Sequence, residues 1–148
     1  MAAILVDTNI LVYFHDHNSP EKQKQAALIL GRLSAAHSGC ISAQNLAEFV
    51  NASLRKLIPP MPPSEALYQA NQLAASFQVF DLTPQIVLEA SRGVRDYKLA
   101  YYDAQIWAAA RLNQVPVVFS EDFQDGQRLE GVNFANPFGS AFKIDEWI

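Results

Sequence analysis

The first forty residues change pattern three times. An apolar run, Ala2 to Val6, stops abruptly at Asp7-Thr8-Asn9, as a buried strand does when it ends in a polar turn that caps a helix. Ile10 to Asp16 continues as that helix. Ser19-Pro20-Glu21 sets an N-cap, a proline at the first helical position and an acid in the first turn. The helix that follows runs to about Ala36 and turns Ala26, Leu28, Ile29, Leu30 and Leu33 inward. Gly39-Cys40-Ile41 is a second short strand. Ser42 then caps a helix whose Leu46, Phe49, Val50, Leu54 and Leu57 recur at 3.6-residue spacing.

The prolines at 59, 60, 62 and 63 form a stiff connection too short to be a domain linker. Beyond it the alternation resumes. Ser64 to Phe77 is helical and Val79 to Leu82 is a strand. Thr83-Pro84 opens a helix with Ile86, Val87, Ala90, Val94 and Tyr97 on one side. Another helix covers about Tyr102 to Leu112. Val115 to Phe119 is a fourth strand, Asp125-Gly126 a turn, and Val132 to Ala135 a short edge strand. Strands alternating with helices over 148 residues predict one α/β layered domain, residues 1–148, with a mostly parallel sheet and right-handed crossovers.

Half of the chain is hydrophobic, which excludes a disordered chain. A single cysteine, Cys40, excludes an internal disulfide and a Cys-rich zinc site, and fits a reducing compartment. No apolar run approaches the ~20 residues that cross a bilayer, and the N-terminus lacks the basic start of a signal peptide. The expected location is the cytoplasm, with no membrane partner. Eleven basic against fifteen acidic residues give a net charge of −4, which argues against a generic electrostatic grip on nucleic acid.

The acids are placed more tellingly than they are numerous. In a parallel α/β sheet, ligands bind outside the carboxyl ends of the strands. Asp7 and Asp122 follow strands at that edge, Glu48 lies early in the helix after strand two, and Asp103 opens the helix before strand four. Gathered carboxylates repel each other unless a cation joins them, and hard ions such as Mg²⁺ or Mn²⁺ prefer oxygen ligands. Such an ion activates water and steadies the leaving oxygen of a phosphodiester. Each acid also has a plainer reading. Asp7 and Thr8 suit a helix cap, and Asp122 and Asp125 suit turns. Glu48 lies roughly opposite its helix's apolar stripe, and Asp103 favours a helix dipole. The pattern of residues leaves both readings open. There is no GxGxxG, P-loop or GxSxG to compete.

Four segments together resemble a known family. Val6-Asp7-Thr8-Asn9-Ile10-Leu11 resembles the opening motif of PIN-domain ribonucleases. Ala47-Glu48-Phe49 resembles the second motif, Tyr102 to Ala110 the third, and Phe119 to Gly126 the fourth. They occur in order across nearly the whole chain, and the size resembles VapC-type toxins of toxin–antitoxin pairs. The resemblance implies a three-layer α/β/α sandwich and a Mg²⁺- or Mn²⁺-dependent endoribonuclease leaving 5′-phosphate and 3′-hydroxyl ends. By motif, Asp7, Glu48, Asp103 and Asp122 would be the metal-site acids. Asn9 and Ser120 would support the cleft, and Asp125 matches a further acid. The implied partners are an RNA substrate, a small antitoxin and a second copy of the chain in a homodimer. The alternative is an inactive PIN-like binding or scaffold module. Phosphotransfer folds fit poorly, since Asn9 stands where a dehalogenase-type phosphatase needs a second Asp, and Asp81 is a poor receiver-domain acceptor.

The remaining charge and aromatic patterns are less committed. Arg92, Arg95 and Lys98, three apart on one helix, are candidate RNA contacts, or simply a solvated face. Arg55 with Lys56, and Lys22 with Lys24, are equally ambiguous. Tyr101, Tyr102 and Trp107 could stack on bases, but their spacing fits core packing better. His15 and His17 fall about 200° apart on a helix and do not converge on one metal. Phe134, Phe138, Phe142 and Trp147 suit a partner surface or the core. If four acids share one site, two divalent ions would bring the formal charge to zero, so RNA binding should depend on the ion more than on basic surface.

Overall fold

A computed structural model describes residues 2–148. Six strands form one sheet: β1 (Ile4–Val6), β2 (Gly39–Ser42), β3 (Gln78–Phe80), β4 (Val117–Phe119), β5 (Arg128–Leu129) and β6 (Val132–Ala135). Their order is β3-β2-β1-β4-β6-β5, parallel except for the β5–β6 pair. Among the described residues six α-helices accompany them: α1 (Thr8–Tyr13), α2 (Pro20–Ala36), α3 (Ala43–Arg55), α4 (Pro63–Ser76), α5 (Pro84–Tyr97) and α6 (Tyr101–Leu112), with a single 3-10 turn at Ile144–Glu146.

The period-two geometry of a strand sends alternate side chains to opposite faces. Ile4, Val6, Ile41, Val117 and Phe119 pack on one side with Ile10 and Leu11 of α1, Ile29 and Leu33 of α2, and Phe49 of α3. Leu5, Cys40, Val118 and Phe134 pack on the other with Ile86 and Ala90 of α5 and with Ala104 to Ala110 of α6. Both faces of the sheet are therefore covered, giving the three α/β/α layers, and the short strands read as continuous apolar runs. Gly93 lets α5 and α6 approach closely, because a Cβ there would stand 2.8 Å from the ring of the fully buried Trp107.

The structure corrects several expectations. Helix α1 starts at Thr8, two residues earlier than the apolar pattern indicates, because Asp7 is itself the cap. Leu28 is not inward: it is 45% exposed, while Ala26, Ile29, Leu30 and Leu33 carry the buried face of α2. Strand β6 is not at the edge. The two-residue β5 covers it through a tight hairpin at Glu130-Gly131, both with positive φ. Two residues are too few to show a period. Of the aromatics left open between a partner surface and the core, Phe134 is buried, the half-buried Phe142 and Trp147 pack against the core edge-on to Phe119 at 5.3 and 5.8 Å, and Phe138 packs on Tyr13 at 5.1 Å.

Candidate active site

The register of β1 and β4 builds the centre of the site. Val6 pairs with Phe119, so the next residue of each strand, Asp7 and Ser120, emerges at the same carboxyl edge. Both are buried, and the Ser120 hydroxyl donates to Asp7 Oδ2 at 2.7 Å. The other carboxylate oxygen, Oδ1, accepts the Thr8 amide at 2.8 Å. Ser120 Oγ in turn accepts the Asp122 amide at 3.0 Å, which fixes the turn after β4.

Helix α3 brings the second acid. Ser42 and Asn45 form a capping box that starts this helix directly at the end of β2. The buried face of α3 consists of Gln44, Asn45, Phe49, Ala52 and Ser53, with Leu46, Val50 and Leu54 only half-buried. The inward direction is thus rotated from the one the leucines indicate. Glu48 is not opposite the packed face but beside it, one turn from Gln44 and Ala52 along the line that faces the cleft. Asn45 Nδ2 donates to Thr8 Oγ1 at 3.1 Å, and Thr8 Oγ1 donates to Glu48 Oε1 at 2.8 Å. This relay joins the start of α3 to the start of α1.

Asp103, in the first turn of α6, and Asp122, after β4, complete the rim. Asn9 Nδ2 donates to Asp122 Oδ2 at 3.1 Å. Asp7, Asn9, Glu48, Asp103 and Asp122 line one cleft of about 380 Å³, with Lys56 on its wall as the one basic side chain among the described residues lining it. Burial pushes the Asp7 carboxyl up from 3.8 to about 7, against the pull of its Ser120 and Thr8 hydrogen bonds, and the charges of Asp122 and Glu48 add to the rise. Asp103 is raised for the same kinds of reason: burial first, then Asp122 and Glu48. The acids therefore feel each other across the cleft.

This donor set suits a hard divalent cation in kind: carboxylate oxygens, and the amide oxygen Asn9 Oδ1, which is buried and has no hydrogen-bond partner. Among the described residues, no three Asp, Glu, His or Cys side chains stand close enough together to hold an ion as they are. Uncompensated carboxylates repel, so closing around an ion requires that ion's charge.

The other candidates lie elsewhere. Asp125 does not reach the cleft; its Oδ1 accepts the Asn136 amide at 2.9 Å and ties the turn to the chain beyond β6. Arg92, Arg95 and Lys98 do not line the cleft either. Arg92 is held by Glu89 at 2.6 Å and by Glu130 at 2.8 Å, and Arg95 by Asp96 at 2.7 Å. Carboxylates have already neutralised those guanidinium groups. Trp107 is fully buried, whereas Tyr102 is 64% exposed on the wall of the cleft. Cys40 is buried, which pushes its thiol up to about 12 and leaves it unreactive. Reading by motif and pattern missed Asn45 and the line-up of Lys56 with the acids. The only signal was polarity at helix positions that face inward.

A three-layer α/β fold with acids gathered at the carboxyl edge of its parallel strands defines the class. The PIN domain family model matches residues 4–125, and the chain belongs to that family. Solved structures share the fold at low identity. A toxin–antitoxin complex from Klebsiella pneumoniae is 19% identical, with TM-score 0.64 over 92% of this chain and 98% of that one. DNA-bound VapBC from Salmonella typhimurium is 18% identical, with TM-score 0.66 over 93% and 99%. Mycobacterium tuberculosis VapC20, a Sarcin-Ricin loop cleaving toxin, is 17% identical, with TM-score 0.62 over 80% and 88%. No curated protein matches the chain.

Proposed function

We propose that this PIN-domain chain is a Mg²⁺- or Mn²⁺-dependent endoribonuclease, the toxin of a toxin–antitoxin pair. The observation that carries the reading is the convergence of Asp7, Glu48, Asp103 and Asp122 on one cleft with a single lysine to offset them. Toxin–antitoxin complexes among the structures of similar fold support the biological setting.

In this reading the four acids, Asp7, Glu48, Asp103 and Asp122, would hold the cation. The ion supplies activation of water and stabilisation of charge on the phosphate when bound. The chain's own groups position the acids. Ser120 and the Thr8 amide aim the two oxygens of Asp7, Thr8 Oγ1 orients Glu48, and Asn9 orients Asp122. Asn9 Oδ1 remains free to accept from water or to join the ligands. Lys56 receives a phosphate oxygen of the RNA strand at the wall of the cleft. The remaining partners are a small antitoxin that covers the cleft and a second copy of the chain as a homodimer, with action in the cytoplasm where RNA is found. No helix among the described residues is long and apolar enough to cross a membrane.

Cleavage of total RNA by the purified chain, with Mg²⁺ and with EDTA, tests the reading. Fragments with Mg²⁺ alone, and none from an Asp103→Asn variant that melts like the wild type, are expected. Cutting that survives EDTA or Asp103→Asn overturns the metal-site assignment. A folded chain that never cuts RNA points to the binding-module alternative.

A further inference from the structure

A second cavity, about 460 Å³, adjoins the acid cleft and shares Gln44, Glu48, Asn51 and Tyr102 with it. Its character differs from that of the cleft. Tyr102, 64% exposed, and Leu82, 48% exposed, present apolar surface to solvent. Gln105 and Gln44 line it and are linked by one bond: Gln105 Nε2 donates to Gln44 Oε1 at 2.8 Å, and Gln44 Nε2 donates to the Tyr102 carbonyl at 3.1 Å. The Tyr101 hydroxyl donates to Gln105 Oε1 at 2.8 Å, so both glutamines are engaged and fixed. Asn51, by contrast, is exposed, and among the described residues its side-chain amide has no hydrogen-bond partner, which leaves it free at the junction of the two cavities.

We propose that this cavity is a subsite for one unpaired nucleobase next to the scissile phosphate, with Tyr102 as its stacking surface, Leu82 as the opposing apolar wall and Asn51 as the reader of the base edge. The proposal rests on the ribonuclease reading of the acid cleft. An aromatic ring stacks on any base, whereas a side-chain amide, which both donates and accepts, discriminates between base edges. A base buried in a paired helix could not enter, so the subsite selects single-stranded or looped RNA. Continuity through Glu48 and Asn51 places the neighbouring phosphate over the acids. Asn51 and Tyr102 are specificity residues in this arrangement.

The test measures fluorescence anisotropy of short labelled homopolymers of A, C, G and U with Mg²⁺. The protein is the Asp103→Asn variant, alone and combined with Tyr102→Ala, Tyr102→Phe or Asn51→Ala. Tyr102→Ala is expected to weaken the tightest homopolymer about tenfold or more, the effect of deleting one base–aromatic stack. Tyr102→Phe keeps the ring and should keep the affinity, and Asn51→Ala should narrow the differences among the four polymers. Both side chains are exposed, and thermal melts verify that each variant folds. Unchanged binding by Tyr102→Ala to all four polymers overturns the subsite, including the case where the surface serves a protein partner instead. Failure of the ribonuclease reading looks different: the Tyr102 dependence of binding persists while wild-type protein with Mg²⁺ cuts nothing. If no polymer binds at all, the subsite falls, while the ribonuclease reading still stands or falls on cleavage of total RNA.

Discussion

Helix α6 carries a charged region at each end, and the two behave in opposite ways. Asp103 sits in its first turn and Arg111 in its last, about 12 Å apart along the axis. Around Arg111, every acid has a cationic partner. Glu89 is shared by Arg92 and Arg111, Glu130 meets Arg92 at 2.8 Å and Arg111 at 3.4 Å, and the Tyr97 hydroxyl donates to Glu130 at 2.7 Å. The Arg92 guanidinium also lies 5.5 Å over the Trp107 ring. The Arg92 hydrogen bond, with the charges of Arg111 and Arg92, holds Glu89 below the ordinary range, and the Tyr97 and Arg92 bonds do the same for Glu130. Around Asp103, the acids face other acids and are steadied only by neutral donors, and the carboxyls of Asp7 and Asp103 rise, burial being the first cause. Even the neighbour of Asp122 belongs to the compensated kind: Glu121 is bound by Lys22 at 2.8 Å and by the Tyr13 hydroxyl. Compensated charge closes a surface and holds helices together. Acids left without cations store a demand for one, which is how a fold marks a place for chemistry.

The sharpest way to break this contrast is at Asp7. Asp7→Asn should reduce RNA cleavage by about a hundredfold or more, as loss of a charged group at a metal centre does. It should also change stability in a direction that loss of function alone would not produce. The folded protein keeps Asp7 protonated up to about pH 7, the unfolded chain only to about 3.8. The folded state therefore holds an extra proton between those values, and metal-free protein loses stability as pH rises through that window, by on the order of a few kcal/mol. Melting curves in EDTA at pH 5 and pH 8 should differ for the wild type and differ less for Asp7→Asn, in which only Asp103 remains raised. Equal wild-type curves would mean that Asp7 is not stressed.

At the other end of α6, changes should cost stability and spare cleavage. Gly93→Ala forces a methyl into the buried Trp107 ring and should destabilise by about 1–3 kcal/mol, outweighing the gain in helix propensity. Denaturant unfolding measures it, and a more stable variant would show that α5 can move away. Glu89→Gln removes the shared carboxylate of Arg92 and Arg111. A loss of about 1 kcal/mol is expected, fading in high salt, with RNA cleavage unchanged. The smallest effect belongs to the lone cation of the cleft. Lys56→Ala should raise KM about two- to fivefold with kcat and melting temperature nearly constant, the scale of one exposed charge contact. A fall in kcat alone would place Lys56 nearer the reacting atoms.

Much of the architecture was legible in the order of residues. The alternation of apolar runs with helical periods is a local property, so β1, β2, β3, β4, β6 and all six α-helices follow from it to within a few residues, whereas the two-residue β5 does not. The family motifs name four acids that do line one cleft, because a strand end and a helix start are local events too. The α3 face was not legible. Its leucines indicate one inward direction, but Ser42, Asn45 and Thr8 form a polar core that rotates the helix and turns Glu48 to the cleft. Nor could spacing reveal that Arg92 is spent on Glu89 and Glu130, since Glu130 arrives through a hairpin 38 residues away.

The sequence by itself determined the α/β class, the strand ends at which chemistry can gather and the family to which the chain belongs. All of these depend on neighbours within a turn or a strand. Only the tertiary structure decided which charges are compensated, that Asp125 serves a turn, and that Tyr102 is exposed beside the acids while Trp107 is sealed in the core. The physical reason is that compensation and burial depend on distance in space, and the close approach of α5 to α6, like the register of β1 against β4, is set by packing across the whole sheet.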